Sequence, residues 1–207
     1  MVKYHVLCHS SIRIETDEVI YFDPFKINKT VNDADIVFIT HSHYDHYSIE
    51  DIRKVDNGKT LYVMPLSMKK EANALSKKRI VFVEPNKSYD VDGIKVDVTP
   101  AYNINKPFHK EEFKWVGYVL TLENKKYYVM GDTDETKEAL KVKCDYLFIP
   151  IGGTYTMDYN DAAICANRIK PSVVIPTHYG LIVGDMHDGA KFSSLIDKTI
   201  NVDLEIR

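Results

Sequence analysis

Five short apolar runs in this chain each stop at a side chain that binds cations or accepts strong hydrogen bonds. "VIYF" runs into Asp23, and "DIVFIT" runs into His41-Ser-His43-Tyr-Asp45-His46. "IKVDVTPAY" ends at Asn103, "KKYYVMG" at Asp132 and "SVVIPT" at His178. Runs of this length, rich in Val, Ile and Tyr, predict buried strands. If these strands lie in packed sheets, their ends can converge on one rim. Loops on such a rim carry function.

The rest of the pattern predicts the layers around those strands. Val2–Leu7, Ser11–Glu15 and Val19–Phe22 read as successive short strands, followed by Asp35–Thr40. Ser48, with Asp51 three residues on, opens a short helix to about Val55. Thr60–Met64, Arg79–Glu84 and Ile94–Thr99 read as strands, with a helix over "LSMKKEANALS" after Pro65. Val116–Glu123 and Lys125–Met130 form a hairpin about Asn124. A short helix over Asp134–Lys141 and a strand over Tyr146–Ile151 follow. Then come an amphipathic helix over Asp158–Ile169, with Ala162, Ile164, Cys165 and Ile169 inward, and a strand over Ser172–Ile175. A last helix centres on Ala190–Ile196, and the final "VDLEI" reads as an edge strand. Hairpins first and alternating strands and helices later predict an α/β (α+β) chain, two face-to-face sheets with helices outside. All 207 residues are expected in one domain.

Why crowd histidines and carboxylates together? Neighbouring carboxylates repel and their pKa values rise unless a positive charge joins them. Imidazole with carboxylate suits Zn²⁺, and also Mn²⁺ or Fe²⁺. Residues two apart in an extended segment face the same way. His41 and His43 can therefore grip one ion, while Asp45 and His46 serve a second. His5 and His187 read as surface residues. Cys8, Cys144 and Cys165 are an odd set without CxxC spacing, which argues against a disulfide framework or a cysteine zinc site.

His41-x-His43-x-Asp45-His46, "GDTD" with Asp132, "PTHYG" with His178 and "YFDPF" with Asp23 together resemble the metallo-β-lactamase-fold hydrolases. The resemblance spans nearly the whole chain. It is nearest the branch of ascorbate-6-phosphate lactonase-like proteins and N-acyl-phosphatidylethanolamine phospholipase D. It implies a four-layer αββα sandwich. It also implies that His41 and His43 bind a first metal, that Asp45, His46 and His178 bind a second, and that Asp132 bridges them. Asp23 would orient a ligand histidine. The cofactor would be one or two Zn²⁺, with Mn²⁺ or Fe²⁺ as alternatives.

One position departs from the family pattern. Asn103 stands where the third motif usually has a histidine. Asn103 could ligate through its amide oxygen, His109 could swing in from the loop, or the first site could be weak; His109 is the preferred candidate. His9, in a His9-Ser10 pair, is a candidate metal or pocket residue, as a substrate contact or proton shuttle, with a plain turn residue as the alternative. Tyr179 and Gly180 are expected to shape the rim.

The implied activity is hydrolysis of an ester, lactone, amide or phosphodiester with a metal-activated water. Asp45 or Asp132 would move the proton. Lys106, Lys110 and Lys114, on the loop after Asn103, allow a small anionic substrate, although lysines are usually just solvated. Trp115, Phe108 and Phe113 share that loop, where they either close over a ligand or pack as core. The alternatives are a nuclease or phosphodiesterase, or a non-catalytic metal- or ligand-binding protein. A net charge of −3 and no basic stripe argue against long nucleic acids. No apolar run is long enough for a membrane span. With no leader-like start, a cytoplasmic protein acting on a small molecule is expected. A homo-oligomer is compatible with all of this.

Overall fold

The computed structural model describes residues 2–75 and 79–206. One sheet has six strands in chain order: β1 (Lys3–Cys8), β2 (Ser11–Glu15), β3 (Val19–Phe22), β4 (Ala34–Phe38), β5 (Asp56–Pro65) and β6 (Arg79–Val83). The other runs β13 (Asn201–Val202), β12 (Val173–Thr177), β11 (Tyr146–Pro150), β10 (Lys125–Val129), β9 (Val116–Leu122), β8 (Ile94–Pro100) and β7 (Ser88–Val91). Three helices, α1 (Ile49–Val55), α2 (Tyr159–Ile169) and α3 (Asp188–Leu195), lie outside the sheets.

Alternation of side chains along each strand builds the layers. In β4 and just beyond it, Ile36 and Phe38 enter the core between the sheets, with Val98, Tyr118 and Phe148 from the second sheet. Val37 and Ile39 face the other way, onto Ile52 and Val55 of α1. Leu147 and Ile149 likewise turn from that central core onto Ala162, Cys165, Ala166 and Phe192 of α2 and α3. The order is therefore αββα, as expected. Strands buried on both faces read as continuous apolar runs, which is why they were visible.

Parallel pairing aims the strand ends at one rim. β3, β4, β5 and β6 run parallel, as do β10, β11 and β12. The sheets are stitched together at that rim: Val116 N–H donates to Thr40 O at 3.2 Å, and the Tyr118 hydroxyl donates to Ile39 O at 2.7 Å.

Several local expectations change. The helix after Pro65 becomes two 3₁₀ turns, Leu66–Met68 and Glu71–Leu75, and its last residue, Ser76, lies outside the described residues. Met68, Ala72 and Leu75 are buried against the α1 side, so three anchors dock the segment without a full helix. So short a helix has little stability of its own. The helix at Asp134–Lys141 shrinks to a 3₁₀ turn at Ala139–Lys141. There the Asp134 carboxylate accepts from Ile104 N–H and the Thr136 hydroxyl from Ala139 N–H, local bonds that compete with a helix. Ile164 is exposed, not inward, and Ala166 takes its place. At 100° per residue Ile164 lies far from the Ala162–Cys165–Ile169 face. Strand β7 was unforeseen, although Asp92-Gly93, both with positive φ, is the residue pair that a two-residue hairpin turn favours. Of the "VDLEI" tail, Val202 alone lies in β13, paired with β12 together with Asn201 before it. Beyond them Asp203 N–H donates to Val174 O, and the Asp203 carboxylate accepts the Tyr4 hydroxyl. Burial pushes the Cys144 and Cys165 thiols up to about 12, as suits packed, inert cysteines.

Candidate metal centre

The segment after β4 carries most of the donors, held in place by Asp23 and Thr40 beneath it. Asp23, in a left-handed conformation at the end of β3, accepts Thr40 N–H through Oδ1 at 2.8 Å. Its Oδ2 accepts the Thr40 hydroxyl at 2.6 Å and His46 Nδ1–H at 2.7 Å. Thr40 Oγ1, having donated its proton, lies 3.0 Å from His41 Nδ1 and can accept from it. Both imidazoles thus spend Nδ1 on a scaffold and turn Nε2 to the centre, the arrangement that fixes the tautomer of a metal-ligating histidine. Thr40 was not foreseen; its signal is its place just ahead of His41.

Ligand-capable atoms of His41, His43 and His109 lie within 4.8 Å of one another. So do those of His41, His46 and Asp132, and those of His9, Asp45 and His178. Asp132 lies between the first and last of these groups. Its Oδ2 is 3.2 Å from His109 Nε2 and 3.0 Å from His178 Nε2, and its Oδ1 is 3.4 Å from His46 Nε2. Asp45 Oδ2 is 3.6 Å from the Nε2 atoms of both His46 and His178. His41 Nε2 faces His43 Nδ1 at 3.1 Å.

His109 joins His41 and His43. The Asn103 amide nitrogen donates to Tyr155 O at 2.7 Å and Phe108 O at 3.2 Å. Its backbone N–H donates to His109 O at 2.7 Å and closes the loop. A left-handed His109 then points its ring into the cluster. The Trp115 ring packs on His41, His43 and His109 at centroid distances of 4.8, 4.8 and 5.4 Å. It forms one wall of this group.

The electrostatics suit a cation. Burial raises the Asp132 carboxyl, but His178 and His46 outweigh this and hold it well below the usual range. Burial likewise raises Asp45, which His178 and His9 bring down. Burial lowers His46, yet Asp132 and Asp23 lift it well above an ordinary imidazole, and Asp132 lifts His178. Burial, aided by His46, drives His41 well down, and burial raises Asp23 against the pull of His46. Carboxylates held this low beside raised imidazoles mark a place that favours positive charge, which a divalent ion supplies. Nε2 of His46, His109 and His178 and Oδ1 of Asp132 are buried without a hydrogen bond among the described residues. Orphaned polar atoms of this kind are costly in a dry interior. The residues present fit divalent metal.

The cluster opens into a cavity of about 220 Å³ lined by His43, Tyr44, Asp45, Phe108, His109, Asp132, Tyr155 and Ile182. Tyr155 and Ile182 were not foreseen; both come from loops that meet the rim only in the folded chain. A larger cleft of about 470 Å³ lies on the other side of Trp115 and contains none of the donors. Lys114 and Glu111 line that cleft instead. Lys106 is paired with Asp134, and Lys110 with Glu112 at 3.8 Å. Tyr179 is buried beside His178, and its hydroxyl would meet a Cβ on Gly189 at 2.4 Å. His187 precedes α3, and His5 pairs with Glu205 at 3.3 Å, both away from the cluster.

Gly152 sets the position of His178. A Cβ on Gly152 would stand 2.1 Å from His178 O and 2.6 Å from Val183 Cγ2. Gly152→Ala is expected to cost about 1–3 kcal/mol through overpacking. It should also displace His178, read as a lowered Tm together with weakened metal binding.

A family model described as a beta-lactamase superfamily domain matches residues 3–178. A metal-dependent hydrolase of Saccharolobus solfataricus is 31% identical over 179 residues, covering 81% of this chain and 77% of its own length. One from Pyrococcus abyssi is 27% identical over 213 residues, covering 95% of this chain and 92% of its own. Among solved structures, a candidate metal-dependent hydrolase from Parabacteroides distasonis aligns with a TM-score of 0.83 at 25% identity, over 100% of this chain and 94% of that one. The metallo hydrolase Igni18 of Ignicoccus hospitalis aligns with a TM-score of 0.78 at 23% identity, over 98% and 94%.

Proposed function

The chain belongs to the β-lactamase superfamily and is a metal-dependent hydrolase, and from that premise we propose that it cleaves the ester or lactone bond of a small, largely apolar molecule. In this reading His41, His43 and His109 hold one cation, Asp45, His46 and His178 hold a second, and Asp132 serves both. Zn²⁺ or Mn²⁺ suits these donors. Bound divalent cations supply Lewis-acid activation of a water and of the scissile carbonyl.

The chain's own residues do the rest. Asp23 and Thr40 keep the His46 and His41 rings turned inward. The Asp45 carboxylate would take the proton of the attacking water and return it to the leaving oxygen. Tyr44, Phe108, Tyr155 and Ile182 bind the non-reacting part of the substrate and exclude water around it.

The cavity wall carries the choice of substrate. Besides the donors themselves, the described residues lining it are aromatic or aliphatic, with no lysine or arginine among them. The lysines that suggested an anionic substrate are paired or face another cleft. A charged phosphate substituent would therefore find no lysine or arginine in this wall, while an apolar group would bury against it.

Metal-loaded protein should be assayed on p-nitrophenyl acetate, butyrate and hexanoate, on lactones, and on bis(p-nitrophenyl) phosphate. The expected result is a rise in kcat/KM of about fourfold per added methylene while the cavity fills, at ~0.8 kcal/mol each. A preference for the phosphodiester over every neutral ester and lactone would overturn the proposed substrate class.

A further inference from the structure

Resting on the reading that the cluster binds divalent cations, we propose that His9 is an additional ligand of the cation held by Asp45, His46 and His178. His9 comes from the β1–β2 turn, far in sequence from every other donor. It is only 1% exposed. Its Nε2 stands 3.3 Å from Asp45 Oδ2, and its ring lies 3.8 Å, centroid to centroid, from that of His178. Neither of its ring nitrogens makes a hydrogen bond among the described residues. Donors bound about 2.1 Å from one ion stand roughly 3–3.5 Å from their neighbours, and the His9–Asp45 separation is of that size.

Two simpler readings explain less. As a core residue, His9 leaves its buried Nδ1 without a partner among the described residues and its Nε2 with only the Asp45 carboxylate at 3.3 Å, a cost an apolar side chain would avoid. As a turn residue, it is badly suited. His9 has a φ of 55°, while Ser10 is not among the residues of positive φ. A two-residue hairpin turn with positive φ at its first position is ordinarily filled there by glycine. The ring is also held in place from behind, because His178 N–H donates to His9 O at 2.9 Å and ties the turn to the end of β12. The same bond couples two left-handed histidines whose rings enter the same group. Strained backbone that delivers a side chain to a cluster is what a functional site retains.

The consequence is an unequal pair of sites. The first has His41, His43, His109 and Asp132, a set that suits tetrahedral Zn²⁺. The second has Asp45, His46, His178, Asp132 and His9, which suits a cation of higher coordination number such as Mn²⁺ or Fe²⁺.

The test is Co²⁺ titration of metal-free protein, followed by equilibrium dialysis and visible absorption, on wild type, His9→Ala and His9→Gln. Wild type should bind two ions, one with the intense bands of four-coordinate cobalt and one with the weak bands of higher coordination. Both variants should keep the first ion and bind the second at least ~10–100-fold more weakly, since even loss of an outer partner of a metal ligand costs that much. Anomalous scattering from a cobalt-loaded crystal of the wild type gives a reading that needs no variant: a peak about 2.1 Å from His9 Nε2. Unchanged second-site affinity in His9→Ala, recovery of affinity in His9→Gln, or a peak out of bonding reach of His9 would each overturn the proposal. The first two outcomes would leave two-metal binding itself intact. Failure of the wild type to bind cobalt at all would instead remove the reading on which the proposal rests.

Discussion

Asp132→Ala is expected to lower kcat/KM by at least about 10²–10⁴-fold, the range for losing a positioned group at the reacting centre. The size follows from where the carboxylate sits. One oxygen lies beside His109 and His178 and the other beside His46, so a single substitution touches both halves of the cluster. It also leaves His46 and His178 without the charge that raises both imidazoles. Asp132→Asn keeps the shape and removes the charge, and should recover little. A melting curve of the metal-free variant separates lost chemistry from lost fold. Activity within tenfold of wild type in a folded Asp132→Ala protein would mean that Asp132 is not shared between the sites.

Removing metal should lower Tm by about 8–16 °C per site. A ligand present at 1,000 times its Kd stabilises by about 4 kcal/mol, and each kcal/mol moves Tm by roughly 2–4 °C in a chain of this size. The fold itself should survive, because the apolar cores between and outside the two sheets do not include these donors. Reloading with Mn²⁺ or Zn²⁺ should restore the melt and release protons, since the ligating imidazoles must be neutral. The measurement is a melting scan before and after dialysis against chelator, with reloading as the control. An unchanged Tm would contradict the account of the buried donors.

Much of this centre was legible because its donors lie at the ends of strands whose two faces are both apolar. His41, His43, Asp45 and His46 announce themselves by spacing, and Asp23, Asp132 and His178 by following "VIYF", "KKYYVMG" and "SVVIPT". What the chain does not reveal locally is the outcome of loop closure. Whether Asn103 or His109 enters the cluster depends on Tyr155 O, fifty-two positions away, accepting the Asn103 amide. The apolar wall has the same origin, since Tyr44, Phe108, Tyr155 and Ile182 come from separate loops. The same holds for two of the loop lysines, since Lys106 meets Asp134, twenty-eight positions on, only in the fold, and Lys110 pairs with Glu112. The two over-predicted helices failed for a related reason. Anchors at Met68, Ala72 and Leu75, and side-chain bonds at Asp134 and Thr136, satisfied those segments without continuous helix.

The most direct measurement is a count of ions. Metal-free protein, titrated with Zn²⁺ or Mn²⁺ and separated from unbound metal, should retain two per chain, and His41→Ala and His46→Ala should each reduce that number. Wild-type protein that retains none, at excess metal and neutral pH, would contradict the claim that these buried histidines and carboxylates exist to hold cations.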